Sequence, residues 1–161
     1  MPGPNAALGP YEYASAQIWK RYRKICRIAS AIGPDTADVE VHDLRIHCKK
    51  LRYLMEFFAS LFPQAAFKSL LKPLKILQDN LGMINDYAVQ QINLQQFLRK
   101  VGNWPDGVDL EVAQSVGALT AALHAQQAEE RAKTVKSFAA FNSPQIQQTF
   151  RVLFRAQKEK Q

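Results

Sequence analysis

Four residues in the stretch "VHDLRIHCKKLRY", residues 41 to 53, stand at a spacing that chemistry can use. His42, Arg45, Lys49 and Arg52 fall at i, i+3, i+7 and i+10. On a helix turning 100° per residue they lie within about 80° of one another, along about 15 Å of axis. Three fixed cations and an imidazole in one row suit a strongly negative ligand. The competing reading is a solvated helix face. Like charges one turn apart repel, so folding alone gives no reason to collect them. A solvated face usually mixes signs, and this row offers only Glu56 at its far end.

Other chemistries fit less well. His42 and His47 are five residues apart, about 140° around a helix, and metal ligands on a helix stand three or four apart. His124 is distant in sequence. No metal site is expected. Ser60 and Ser69 have no histidine nearby to act as base, "NLGMIND" contains one glycine and no phosphate-cradling loop, and no carboxylate pair flanks a nucleophile. The residues therefore point to binding, with no catalytic group and no cofactor.

The elements that must carry this row are helices. Valine and threonine never cluster in alternating runs, and Pro and Gly divide the chain into long pieces with helical periodicity. The spacing predicts a first helix from about Tyr11 to Ile32, ended by "GPDTAD", and a second from about Asp38 that stops before Pro63. Leu74, Leu77, Leu81, Ile84, Ala88 and Ile92 keep a helical period through a third segment, residues 64–101. Pro73 predicts a kink or a fresh start within it. Asp109 caps a fourth helix reaching about Phe141, and Ser143 with Pro144 opens a short last one. The expectation is an all-α fold, an antiparallel bundle of about four long helices plus a short C-terminal helix. One domain over residues 11–157 follows, with a flexible lead-in at 1–10 and a flexible tail at 158–161.

Composition agrees. The chain has 161 residues, 47% of them apolar and 22% charged, with a formal charge of +7. That excess points to an anionic partner such as nucleic acid, a lipid surface or a phosphate polymer. No run approaches the roughly 18 apolar residues of a membrane span, and "MPGPNAALGP" lacks the basic and apolar regions of a signal peptide. Cys26 and Cys48 have no CxxC spacing and read as reduced thiols of a cytoplasmic protein.

The basic row has neighbours. Lys20, Arg23, Lys24 and Arg27 share a face of helix one. Lys68, Lys72 and Lys75 line up on the third segment, continued by Asp79 and Asp86. Between residues 20 and 75, Lys and Arg outnumber Asp and Glu by twelve to five. Three such stripes are expected to surround one positive groove if their helices meet.

"HDLRIHCKKLRYLMEFF" followed by "LLKPLKILQDNLGMINDYAV" closely resembles the CHAD family, the conserved-histidine α-helical domain. The pattern H-x-x-R-x-x-x-K-x-x-R-Y falls on His42, Arg45, Lys49, Arg52 and Tyr53. The pattern L-K-x-L-Q-x-x-L-G-x-x-N-D falls on Leu74, Lys75, Leu77, Gln78, Leu81, Gly82, Asn85 and Asp86. "IWKRYRKI" is similar to the basic first helix of these domains, and the likeness runs from about residue 17 to 98. It implies a non-catalytic domain that binds inorganic polyphosphate along a channel lined by Lys, Arg and His. His42, Arg45, Lys49 and Arg52 are then the phosphate contacts, with Lys75 in support and Lys72, Lys20, Arg23, Lys24 and Arg27 more loosely matched. A complete domain of this family resembles two bundles in tandem. This chain carries one motif copy and resembles the second half, which implies a missing second bundle or a homodimer that completes the channel.

The expected function is polyphosphate binding without catalysis. RNA or DNA bound through phosphate contacts on the same face is the alternative. Against it, Tyr53 is the only aromatic near the row that offers a stacking surface. A helical scaffold for an acidic protein remains a third reading. A hydrolase of oligophosphates would need a metal-binding carboxylate cluster that the sequence lacks.

Overall fold

The computed structural model describes residues 9–155. The tail expected at 158–161, and the lead-in apart from Gly9 and Pro10, lie outside these residues. Five α-helices follow in order: α1 (Pro10–Ser30), α2 (Asp38–Phe57), α3 (Gln64–Gly102), α4 (Leu110–Phe141) and α5 (Pro144–Phe154). The all-α expectation holds. Pro10 already belongs to α1, where its missing N–H costs nothing in the first turn. The side chain of Asp109 accepts from Glu111 N at 3.2 Å, and Ser143 Oγ accepts from Ile146 N at 3.3 Å. Both predicted caps are therefore in place. Gly107, with φ of 68°, takes the left-handed conformation that reverses the chain between α3 and α4.

Two boundaries differ from the periodicity. α2 ends at Phe57, and a short 3-10 turn (Ala59–Leu61) follows. The early exit lets Phe62 swing inward, where it stacks on Phe67 at 5.2 Å and 10°. α3 runs unbroken through Pro73 with no fresh start. Loss of one hydrogen bond and the ring clash cost roughly 3 kcal/mol in a helix interior. Leu70, Leu74 and Leu77 flank the proline and are fully buried. Burying each aliphatic side chain contributes about 1.5 to 3 kcal/mol, so the buried face outweighs the break.

Paired contacts give the helix order. α2 lies antiparallel to α3, since His42 meets Asn85 and Arg52 meets Gln78. α3 and α4 are likewise antiparallel, with Asn80 on Thr134 and Gln91 on Gln127. α5 returns along α1, with Tyr11 reaching Leu153 O and Cys26 reaching Asn142. One core joins Ile18, Tyr22 and Ile25 to Leu44, Leu51 and Met55, and then to Leu70, Leu74 and Leu77. α5 closes it with Phe150, which stacks on Tyr22 at 3.9 Å and 5°. The last α3 residue in this core is Ile84. At 1.5 Å per residue, 39 residues make α3 about 58 Å long, about twice α2. The far part of α3 and the start of α4 form an arm beyond the core, leaving Ile92, Phe97 and Leu119 exposed.

Candidate anion-binding groove

The core face of α2 consists of Val41, Leu44, Cys48, Leu51 and Met55. Its two flanks have different jobs. On the flank toward α1, Arg21 Nη1 donates to His47 Nδ1 at 2.8 Å, and His47 Nε2 lies 3.4 Å from Asp43. Accepting from Arg21 requires a neutral imidazole with its proton on Nε2. Burial pushes His47 below the ordinary histidine range; Asp43 opposes this, and Lys24, Arg21 and Lys50 reinforce it. His47 is thus a structural residue of the α1/α2 seam.

On the flank toward α3 stand His42, Arg45, Lys49 and Arg52. Two cross-helix bonds lock the row to its neighbour. His42 Nδ1 donates to Asn85 Oδ1 at 3.3 Å, and Arg52 Nη1 donates to Gln78 Oε1 at 3.3 Å. The first bond orients the imidazole and uses its Nδ1 proton, so Nε2 can donate to an anion only if the ring carries a second proton. Gly82 lies between Gln78 and Asn85 on the same side of α3, and a Cβ added there would meet nothing within 4 Å. The α3 wall is therefore low opposite the middle of the row. Next to His42 and Asn85, a cavity of about 220 Å3 is lined by Val41, Leu81, Ile84 and Gln127.

The charges in this groove are sparsely compensated. Arg52 pairs with Glu56 at 3.0 Å on the helix surface, a contact worth at most about 1 kcal/mol. Lys49 Nζ sits 5.7 Å from the Tyr53 ring centroid. Among the described residues, Arg45, Lys49, Lys72 and Lys75 form no ion pair. Lys75 is exposed one turn before Gln78 and adds its charge at the Arg52 end, while exposed Lys72 lies farther around α3.

Helix-one cations go elsewhere. Taking buried Ile18, Tyr22, Ile25 and Ala29 as the core face, Lys20 and Arg27 fall on the side opposite it, toward solvent. Lys24 acts on His47 across the α1/α2 seam. The guanidinium of Arg23 lies 5.7 Å from the Trp19 ring centroid, and both line a cavity shared with α5. The structure sets the ends of the α2 row against α3, while Lys20, Arg23, Lys24 and Arg27 lie on other faces of α1. Gln78 and Asn85, which position the row, carried no role in the sequence beyond their place in the second motif.

The profile of the CHAD domain family matches residues 2–95, which takes in α1, α2 and every α3 residue of the groove. The chain belongs to the CHAD family. No curated protein matches it. The CHAD match stops inside α3, so the arm tip, α4 and α5 lie beyond it. α4 nevertheless supports the groove from behind. Asn80 Nδ2 donates to Glu130 O at 2.8 Å and Glu130 Oε2 at 2.9 Å, and Thr134 Oγ1 donates to Asn80 Oδ1 at 2.8 Å. The Lys133 bond at 2.8 Å holds the Glu130 carboxyl below its ordinary value, with burial opposing and Asn80 assisting. Arg131 ties α4 to the α1–α2 loop through Thr36 O at 2.6 Å. Among the described residues, no cluster of three His, Cys, Asp or Glu is placed to hold a metal ion, and no helix is long and apolar enough to cross a membrane.

Proposed function

We propose that this CHAD domain binds inorganic polyphosphate along the α2/α3 groove, without a catalytic step. The observation that carries the reading is the pair of cross-helix bonds, His42 to Asn85 and Arg52 to Gln78. They hold a row of about 15 Å rigid against α3 while Arg45 and Lys49 stay free of carboxylates. A repeating, unbranched polyanion presents charge along a line and suits such a row better than a compact anion does. Preorganised cations also lose less side-chain entropy on binding. Family membership supports the same ligand. The two thiols, both unpaired, fit a reducing cytoplasmic setting.

Nucleic acid is the competing ligand. Tyr53 and Phe57 are the exposed aromatics of α2, but Phe57 lies about 100° around the helix from the middle of the row. That leaves one stacking surface, already engaged by Lys49. The deciding experiment is a competition at physiological salt between long-chain polyphosphate, single-stranded RNA and an acidic polypeptide. The proposal requires polyphosphate to displace both at matched charge concentration. Equal or better competition by RNA would replace it.

A further inference from the structure

We infer that the seam between α1 and α5 is a second anion site, separate from the α2/α3 groove and built to hold a small phosphate-type anion such as pyrophosphate. A cavity of about 330 Å3 opens there, lined by Trp19, Arg23, Arg151, Arg155, Asn142 and Gln147. Three arginines line one cavity, and among the described residues no Asp or Glu lines it. Among the described residues none of the three arginines makes an ion pair.

The walls are positioned by packing that the groove does not use. Tyr22 stacks on Phe150 and fixes α5 against α1. Gln147 Nε2 donates to Asn142 O at 2.8 Å, holding the α4–α5 turn at the rim. Arg23 rests against the Trp19 ring. Burial pushes the Tyr22 phenol upward, with Cys26 reinforcing this and Arg151 and Arg23 opposing it.

The number of donors selects the ligand class. One carboxylate offers two oxygens and satisfies a single guanidinium fork. Three arginines around one cavity suit an anion with more oxygens on one centre, which phosphate and pyrophosphate supply. The cavity is at the low end of ligand-pocket sizes, which favours a small anion over a polymer segment.

Trp19 makes the site observable. The chain has two tryptophans, and Trp104 is exposed beyond the end of α3. In a Trp104→Phe background, Trp19 is the sole indole reporter. Titration with pyrophosphate at about 0.15 M salt should give a saturable change in Trp19 emission. Acetate, with a single carboxylate, should give none at the same ionic strength. Arg23→Gln with Arg151→Gln should weaken the response about tenfold or more. The groove triple Arg45→Gln, Lys49→Gln and Arg52→Gln should leave it unchanged, which separates this site from the proposed polyphosphate groove. In the unsubstituted chain, pyrophosphate should also slow alkylation of Cys26, which lines the cavity, while the fully buried Cys48 stays unreactive. No saturable change, an equal response to acetate, a response that survives loss of both arginines or disappears with the groove triple, or no protection of Cys26 would each overturn the inference.

Discussion

His42 and Asn85 are 43 residues apart in the chain and meet across the α2/α3 seam at 3.3 Å. The bond is modest, yet it sets the direction of the one imidazole in the basic row. With Arg52 on Gln78 it fixes the register between the two helices that wall the groove.

On the proposed function, Asn85 and Gln78 are positioning residues for the ligand. Replacing each by Ala should leave the helical content intact and weaken polyphosphate binding about two- to tenfold, since a net hydrogen bond is worth roughly 0.5 to 1.5 kcal/mol. Isothermal titration at fixed salt measures this. Unchanged affinity in both variants would mean that the row needs no alignment by α3.

Salt should act strongly. Neutralising several phosphates releases counterions, so log affinity should fall steeply and linearly with log salt, by analogy with nucleic acids. Removing Lys49 alone should reduce that slope by about one unit. A flat response would place binding somewhere other than on the cations.

Stability should depend on pH through His47. Its folded value lies below that of an unfolded histidine, so the unfolded chain holds more protons across that interval. Stability is then full above the unfolded value and declines as pH falls toward the folded one. Urea midpoints compared at about pH 7.5 and 5.5 should drop on acidification in the native chain and in the His124→Gln variant, and much less in His47→Gln. An unchanged slope in His47→Gln would contradict the Arg21 arrangement.

Asn80 should matter for the fold that backs the groove. It is 8% exposed and serves both Glu130 and Thr134. Asn80→Ala leaves those groups unpartnered in a low-dielectric seam, at a cost of about 1 to 3 kcal/mol. Chemical denaturation measures it, with Asp79→Ala as a surface control expected within about 0.5 kcal/mol.

Much of this was legible beforehand. The helix set, both capped starts and the inward face of α2 follow from periodicity, because amphipathic helices repeat the same angle wherever they pack. The row His42, Arg45, Lys49 and Arg52 was visible for the same reason. Which stripes meet was not visible, because helical angle says nothing about rotation relative to a neighbour. Lys20, Arg23, Lys24 and Arg27 share a face in sequence, yet that face points away from α3. Pro73 reads as a break, but three buried leucines around it keep the helix continuous despite its local cost. Gln78 and Asn85 are polar residues in an apolar period, a signal that marks a buried or seam position without naming its partner.

The central claim is that position, and not total charge, makes the α2/α3 row a binding surface. It is tested by measuring polyphosphate affinity of the Arg45→Gln, Lys49→Gln, Arg52→Gln triple against an Arg99→Gln, Lys100→Gln, Lys136→Gln control, three exposed cations of α3 and α4. Both lose three positive charges, and Gln is nearly as good a helix former as Lys or Arg. Charge-assisted contacts are worth roughly 1.5 to 3 kcal/mol each when well formed. The row variant should therefore bind about a hundredfold more weakly or worse, with its helical signal unchanged, while the control loses only a small long-range share. Equal losses in the two variants would contradict the account and reduce the row to generic surface charge.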